Sequence, residues 1–559
     1  MIKNLIPEEA GLTDVFFNPE RGEVEIEAKN LKYLLSRENN IVNKIFLETY
    51  WRPRVYRTPP LPSKVIPEVR RFLRAYSQDR RRFLRDVGLK IHKDPMFRSG
   101  RIRIMALGGF GEVGRSAILV QTPESNILLD LGIKPSSTQE EYPYLDLAGV
   151  NISDIDAVVV THAHLDHIGF IPFLYKYGYR GPIYATEPTI HLMKLLLEDY
   201  VDVARKEGKL PPYSTRNIME AILHSIPIKY GEVTDISPDV KLTLHNSGHV
   251  LGSAIVHLHI GNGLCNIVYT GDFKYGRTRL HNSADYRFPR VEVLIMESTY
   301  GGKTLESREE TEIKFIKYVK ETLERNGKVL IPVLAIGRAQ EIMLVLADYM
   351  SRGEIPEVPV FIEGMIAEAT AIYTTFPEYL SKTIREKILY HDENPFLYDA
   401  FEIIRDPRKR SEAIESGPAI ILATSGMLTG GPVMEYLREL APDKRNTLIF
   451  VSFQVEGTLG RRIVNGLREL TFTSRNGKVE IVKMKMQVEM VEGFSGHSDE
   501  KQLLGYLSRI TPAPKTVILG HGEPSRTRAL AQKIRSNKNL RKRIRRLIEP
   551  VNGDVITIV

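Results

Sequence analysis

A chain of 559 residues with 42% hydrophobic and 26% charged residues has the composition of a globular protein of two to four domains. No stretch approaches the ~18 consecutive apolar residues of a membrane span. The N-terminus lacks the apolar core of a signal peptide, and the single cysteine, Cys265, excludes an internal disulfide and a thiolate metal cage. A reducing, cytoplasmic setting follows, and the net charge of +8 hints at a polyanionic partner.

Residues 1–65 read as a small α+β unit and 66–99 as a basic helical linker. Arg70, Arg71, Arg74, Arg80, Arg81, Arg82 and Arg85 crowd that linker. A solvated helix face explains such a run as readily as phosphate contact, although the planar arginine fork tilts the reading slightly towards phosphate. From Arg101 the pattern becomes short strands, at 102–107, 116–121, 126–129 and 157–160. Gly109-Phe-Gly111-Glu-Val-Gly114 matches a dinucleotide-loop pattern, but the β-branched segment that follows is too short for a helix, so a hairpin is expected. From Ser307 helices and strands alternate: helix 309–325, strand 328–335, helix 339–350, then strands 358–363, 419–423 and 447–453. This is parallel, βα-type architecture. After about residue 477 short strands return. Lys533, Arg535, Lys538, Arg541, Lys542, Arg543, Arg545 and Arg546 form a second basic run, again readable as a solvated face. The last strand, 554–559, could pair across a dimer interface or finish its own sheet.

The chemistry concentrates in His162-Ala-His164-Leu-Asp166-His167, directly after the apolar run 155–161. In an extended segment residues i and i+2 point the same way, so His162 and His164 can grip one metal. Asp166 and His167 can grip a second as the chain turns. Imidazole nitrogen and carboxylate oxygen are the ligands of catalytic zinc, which keeps a position for water. One hexapeptide cannot complete two sites. Further candidates stand at strand ends, beside glycine: Asp130, His249, Asp272, His497 and His521. His191, His224, His257, His259, His281 and His391 have no motif context and read as packed or surface histidines.

The ordered set Asp130, His162-x-His164-x-Asp166-His167, His249 and Asp272 resembles the signature of metallo-β-lactamase-fold hydrolases. Glu297, His497 and His521 resemble the three additional motifs of the β-CASP nucleases, and 301–475 fits the β-CASP insert. Within that family the likeness is to archaeal relatives of the endonuclease subunit of the cleavage and polyadenylation specificity factor. The resemblance implies an α/β fold: a metallo-β-lactamase αββα sandwich (100–300 and 476–559), an inserted β-CASP α/β domain (301–475) and a small α+β KH-like N-terminal domain (1–65).

It also implies roles. His162, His164 and His249 would hold one zinc ion, Asp166, His167 and His521 another, and Asp272 would bridge the two. Asp130 would orient a ligand histidine, and with Asp166 it completes the catalytic carboxylates. His497 would be the general acid, oriented and kept protonated by Glu297. Ser425, Gly426, Gly457, Thr458, Arg461 and Arg338, at turns of the insert, would bind RNA phosphate.

The implied activity is a zinc-dependent endoribonuclease that cleaves single-stranded RNA by metal-hydroxide attack, leaving 5′-phosphate and 3′-hydroxyl ends. Transcript 3′-end formation, transcription termination or RNA turnover is the expected setting, and a 5′-to-3′ exonuclease activity could accompany it. The alternatives are a β-CASP nuclease acting on DNA and a small-molecule metallo-hydrolase. Expected partners are single-stranded RNA, a second copy in a homodimer, and RNA polymerase or an RNA-processing complex.

The archaeal relatives usually begin with two KH modules; residues 16–28 resemble the start of the second, and the first is not expected in this sequence. The position of the KH G-x-x-G loop reads Ser36-Arg-Glu-Asn39, without glycine. A KH-like shape with a weakened RNA grip is expected.

Overall fold

Strands such as Ala117–Gln121, Cys265–Tyr269 and Val293–Glu297 are buried at every position, the pattern of sheets covered on both faces. The computed structural model describes residues 1–35, 40–94, 100–134, 140–455, 457–473 and 479–558. It divides into two units. The first comprises 1–276, 283–304 and 497–559, and the second 277–282 and 305–496.

The first unit is built on two seven-stranded sheets. One runs in space Val555–Ile558, Ile102–Gly108, Ala117–Gln121, Asn126–Leu129, Ala157–Val159, Ile183–Ala185, Ser225–Pro227. Its pairing is antiparallel as far as Asn126–Leu129 and parallel beyond. The other runs Val233–Ser237, Val240–Asn246, Ala254–Ile260, Cys265–Tyr269, Val293–Glu297, Thr516–Gly520, Arg546–Ile548, and turns parallel after Cys265–Tyr269. Their inner faces meet in one core, with Ile104, Val120, Leu129 and Val159 from the first sheet against Leu244, Val256, Ile267 and Ile295 from the second. Helices Glu500–Arg509, Pro524–Ser536 and Lys538–Arg543 press Leu503, Leu530 and Leu540 onto the outer face of the second sheet. The result is the αββα sandwich. Gly109–Gly114 turns a hairpin between antiparallel strands, and the C-terminal strand finishes the chain's own sheet beside Ile102–Gly108.

The N-terminal module orders helix Ile2–Leu5, strands Leu12–Asn18 and Glu23–Ala28, helices Lys32–Leu35 and Ile41–Thr49, and strand Arg52–Arg57. The central strand is antiparallel to the first and parallel to the last. Ser36 to Asn39 lie outside the described residues. Glu23, Glu25 and Glu27 alternate along the central strand, and this explains part of the first basic run. Arg74 reaches Glu25, Glu27 and Asp14 at 2.8, 2.8 and 2.9 Å, and Arg70 reaches Glu27 at 2.9 Å. Arg80 is buried, with its guanidinium on the carbonyls of Leu223 and Ser225. The slight preference for phosphate contact therefore fails for Arg70, Arg74 and Arg80, which fasten helices Val65–Ala75 and Ser77–Ile91 to their surroundings. Arg71, Arg81, Arg82 and Arg85 stay exposed.

The second unit has a parallel six-stranded sheet ordered Phe401–Ile404, Val360–Glu363, Ala419–Ala423, Lys328–Pro332, Thr447–Phe450, Gln487–Met490. Leu330, Ile421 and Phe450 of this sheet pack with Val433, Tyr436 and Leu437 of helix Val433–Leu440.

Candidate metal centre

Asp130, His162, Asp272, Glu297 and His521 stand at or just after the carboxyl ends of five strands that pair in parallel, where open α/β sheets place ligands. The hexapeptide leaves Ala157–Val159 extended and enters the short helix Leu165–Ile168, which sets Asp166 and His167 beyond the His162/His164 pair. Gly132 permits this path, because a Cβ there would lie 1.7 Å from the Asp166 carbonyl oxygen.

The side chains converge on Asp272, whose residue is 2% exposed. His162 Nε2, His249 Nε2 and His167 Nε2 approach its Oδ2 at 3.5, 3.7 and 3.4 Å, and His521 Nδ1 approaches its Oδ1 at 2.9 Å. His164 Nδ1 is 3.2 Å from both His162 Nε2 and His249 Nε2. Asp166 Oδ2 lies 3.3 Å from His521 Nε2 and 3.8 Å from His167 Nε2. Two candidate ligand groups share Asp272, with His162, His164 and His249 on one side and Asp166, His167 and His521 on the other, and a third grouping, Asp272 with Glu297 and His497, adjoins them.

Asp130 is fully buried and accepts four hydrogen bonds: Thr161 N–H at 2.7 Å, Thr161 Oγ1 at 2.8 Å, Tyr269 O–H at 3.1 Å and His167 Nδ1 at 2.7 Å. The last fixes the His167 tautomer and turns Nε2 towards the cluster. Glu297 is equally committed. Its Oε1 accepts Phe273 N–H at 2.8 Å, and its Oε2 accepts Thr299 Oγ1 at 2.5 Å and His497 Nδ1 at 2.9 Å. A carboxylate so occupied is a poor metal ligand, which separates Glu297 and His497 from the two ligand groups although they adjoin Asp272. Thr161, Tyr269 and Thr299 carry no motif spacing. Only their places, beside the hexapeptide, before Thr270-Gly-Asp272 and two residues after Glu297, could have flagged them.

The electrostatics suit a cation. Burial pulls His162 and His164 below the ordinary histidine value, which keeps them as neutral imidazoles, the ligand form. Burial also acts on His167 and His521, but carboxylates outweigh it, those of Asp272, Asp130 and Asp166 at His167 and those of Asp272 and Asp166 at His521. His167 is held well above the ordinary value and His521 is pushed up to about 10. His167 Nε2 is a buried ligand atom without a hydrogen-bond partner among the described residues, and His521 Nδ1 and Asp272 Oδ1, buried 2.9 Å apart, have only each other. Such atoms are costly unless something occupies them. The donor set therefore fits borderline metals such as zinc.

The other predicted residues lie in the second unit, on loops after three adjacent parallel strands. Arg338 opens helix Arg338–Ser351 beyond Lys328–Pro332. Ser425 and Gly426 follow Ala419–Ala423. Gly457, Thr458 and Arg461 follow Thr447–Phe450. The structure joins the last two loops: Gln454 donates to the Gly426 carbonyl and Gly460 N–H to the Met427 carbonyl, at 3.0 and 3.2 Å. Thr458 caps its helix through Arg461 N–H at 3.2 Å. His191, His224, His257, His259, His281 and His391 belong to neither ligand group.

Three family models match the chain: the metallo-β-lactamase superfamily over residues 110–309, the β-CASP domain over 339–463, and the Zn-dependent metallo-hydrolase RNA specificity domain over 481–545. Proteins named transcription termination factor FttA resemble it along nearly its whole length. The one from Lokiarchaeum is 49% identical over 100% of this chain and 87% of its own. Those from Pyrococcus abyssi and Methanocaldococcus jannaschii are each 48% identical over 96% of this chain, covering 84% and 85% of theirs. The chain belongs to this β-CASP family of metallo-β-lactamase-fold proteins. A solved protein of unknown function from Enterococcus faecalis V583 matches 82% of the chain and 100% of its own at a TM-score of 0.50 and 15% identity, a likeness of fold alone. For this family member, the candidate ligands around Asp272 lie in the segment matched as the metallo-β-lactamase superfamily, except His521, which with the neighbouring His497 lies in the segment matched as the RNA specificity domain.

Proposed function

We propose that the protein is a zinc-dependent endoribonuclease that cleaves single-stranded RNA to 5′-phosphate and 3′-hydroxyl ends, and that it acts in transcription termination with RNA polymerase as partner. The relatives named as transcription termination factors support the setting. The observation that carries the chemistry is the His497–Glu297 pair, at 2.9 Å, beside the shared ligand Asp272.

His162, His164 and His249 would hold one zinc ion and Asp166, His167 and His521 the second, with Asp272 on both. Bound there, the pair would supply Lewis acidity towards a phosphodiester and a water acidic enough to be a nucleophile near neutral pH. The protein's own groups do the rest. Asp130 fixes His167 so that Nε2 faces the ligand group. Glu297 holds His497 Nδ1–H, so Nε2 is the nitrogen that hands a proton to the departing 3′-oxygen. Burial alone would lower the His497 pKa, but the Glu297 and Asp272 carboxylates outweigh it and favour the protonated acid. Arg338, Ser425, Gly426, Gly457, Thr458 and Arg461 would receive RNA phosphates at the carboxyl edge of the parallel sheet.

The test compares wild type and His497→Ala on single-stranded RNA labelled at the 5′ end, with zinc measured on the same samples. Internal fragments from wild type and a loss of about 10²–10⁴-fold in a fully metal-loaded variant are expected. A zinc-loaded wild type that leaves RNA intact overturns the reading.

A further inference from the structure

The helix that follows His521 opens a stretch unlike the rest of the chain. Residues 524–548 hold ten lysines and arginines and no aspartate or glutamate, although the whole chain carries a net charge of only +8. The rest of the chain, the basic run at 70–85 included, therefore sums to a slight negative charge. Basic character so localised is the pattern of a surface that meets a polyanion.

The structure sorts the ten. Arg526 donates to the Gly301 carbonyl, Arg528 to Pro524, Arg546 to Thr557, and Arg543 to the carbonyls of Ser508 and Ile510. Arg535 pairs with Glu549. Arg528 bonds within its own helix, and the other four tie separate segments together. Lys533, Lys538, Arg541, Lys542 and Arg545 are exposed, and their side chains make no hydrogen bond or ion pair with a described residue. Lys533 ends helix Pro524–Ser536. Lys538, Arg541 and Lys542 lie on helix Lys538–Arg543, which packs against it. Arg545 immediately precedes the edge strand Arg546–Ile548. Exposed Lys515, whose carbonyl accepts Arg545 N–H, extends the same patch. Helix dipoles favour cations in a last turn by about 0.3–1 kcal/mol. That accounts for Lys533, Arg541 and Lys542, but not for the loss of every carboxylate, since the first turn of Lys538–Arg543 would welcome one.

We propose that Lys533, Lys538, Arg541, Lys542 and Arg545 form a second RNA-binding surface, outside the ligand cluster, that grips the sugar–phosphate backbone without reading sequence. This rests on the ribonuclease reading above. Helix Pro524–Ser536 has 13 residues, about 20 Å at 1.5 Å each, so the patch anchors the strand well away from His521. Only an RNA long enough to span that distance would feel it.

The experiment measures binding of a long single-stranded RNA and of a matched duplex DNA across a salt series, using the full chain carrying His497→Ala with metal loaded. The comparison protein adds Lys538→Gln, Arg541→Gln, Lys542→Gln and Arg545→Gln. We expect at least about tenfold weaker RNA binding and a log–log salt slope shallower by about 3, since each phosphate contact on a single strand contributes about 0.7. In the otherwise wild-type background, the four substitutions should leave kcat/KM on an RNA of four or five nucleotides within twofold. RNA affinity and slope unchanged in a protein that still cleaves RNA overturn this inference alone. A wild type that neither binds nor cleaves RNA overturns the ribonuclease reading as well. Equal losses on short and long RNA, or a larger loss on duplex DNA than on RNA, also overturn the assignment.

Discussion

His497 Nδ1 lies 2.9 Å from Glu297 Oε2, on a carboxylate that also accepts the Phe273 N–H and the Thr299 hydroxyl. Glu297, Phe273 and Thr299, from two segments, thus fix one imidazole. Removing the charge while keeping the shape should loosen that ring and disfavour its protonated form. Glu297→Gln is expected to lower kcat by about 10²-fold or more, with KM for RNA and zinc content unchanged. Thr299→Val should give a smaller fall in the same parameter. A Glu297→Gln protein that loses zinc would instead make Glu297 a ligand.

Asp130 poses the complementary case, a carboxylate that touches no reacting group yet accepts four hydrogen bonds in a fully buried position. Asp130→Asn puts an amide where three N–H or O–H donors and the His167 ring converge. Zinc affinity should fall about 10–100-fold, the usual cost of removing an orienting partner of a ligand histidine. Tyr269→Phe removes only one of the four bonds, at 3.1 Å, and should cost about 1 kcal/mol of stability with little effect on zinc. Metal titration and denaturant unfolding of both variants separate the two effects.

The candidate ligand residues that the structure brings together were readable because metal chemistry leaves a spacing signature: His162 and His164 at i, i+2 after an apolar strand, then Asp166 and His167 as the chain turns. The supporting hydroxyls of Thr161, Tyr269 and Thr299 leave none, since a single threonine or tyrosine becomes informative only once folding brings it to Asp130 or Glu297. Strands were legible where apolar runs were long, as at Ala419–Ala423. Gln487–Met490 was not assignable to a sheet, because its partner Thr447–Phe450 lies about forty residues earlier and register is not local information. The first arginine run misled for a related reason. Its counterpart, the alternating glutamates of Glu23–Ala28, lies on another element, and helix charge alone does not say which face meets it.

Gly132 links fold and site through sterics alone. A Cβ at this position would lie 1.7 Å from the Asp166 carbonyl oxygen and 2.6 Å from the His167 nitrogen, both backbone atoms of the hexapeptide. Gly132→Ala must therefore displace the segment that presents Asp166 and His167. A loss of about 1–3 kcal/mol is expected, together with weakened zinc binding. Gly88→Ala is the control: it lies within helix Ser77–Ile91 with nothing within 4 Å of the added carbon, and should be neutral or stabilising. Equal behaviour of the two variants would remove the steric argument.

Glu112, two residues before Gly114, whose N–H faces His521 Nε2 at 3.4 Å, gives a pH-dependent prediction. Its carboxylate accepts Arg115 Nε and Asn552 Nδ2, both at 2.6 Å, and Lys134 Nζ at 2.9 Å, pinning the hairpin turn to the C-terminal segment. Arg115, 2% exposed, is shared with Glu140 and the Tyr144 hydroxyl. Burial pushes the Glu112 carboxyl up, but Arg115, Lys134 and Asn552 outweigh it and hold its pKa below the ordinary glutamate value. A depressed folded-state pKa adds stability that is fully present above the unfolded value, about 4.3, and is lost as pH falls through the folded one. Glu112→Gln should therefore unfold at lower denaturant than wild type at pH 7. The gap should narrow below about pH 4.3 as the wild-type carboxylate takes up its proton. Denaturant midpoints measured with a chelator present, so that zinc release does not contribute, decide it. A gap that stays constant from pH 7 down to pH 3 would mean that Glu112 acts through shape and hydrogen bonding, and not through its charge.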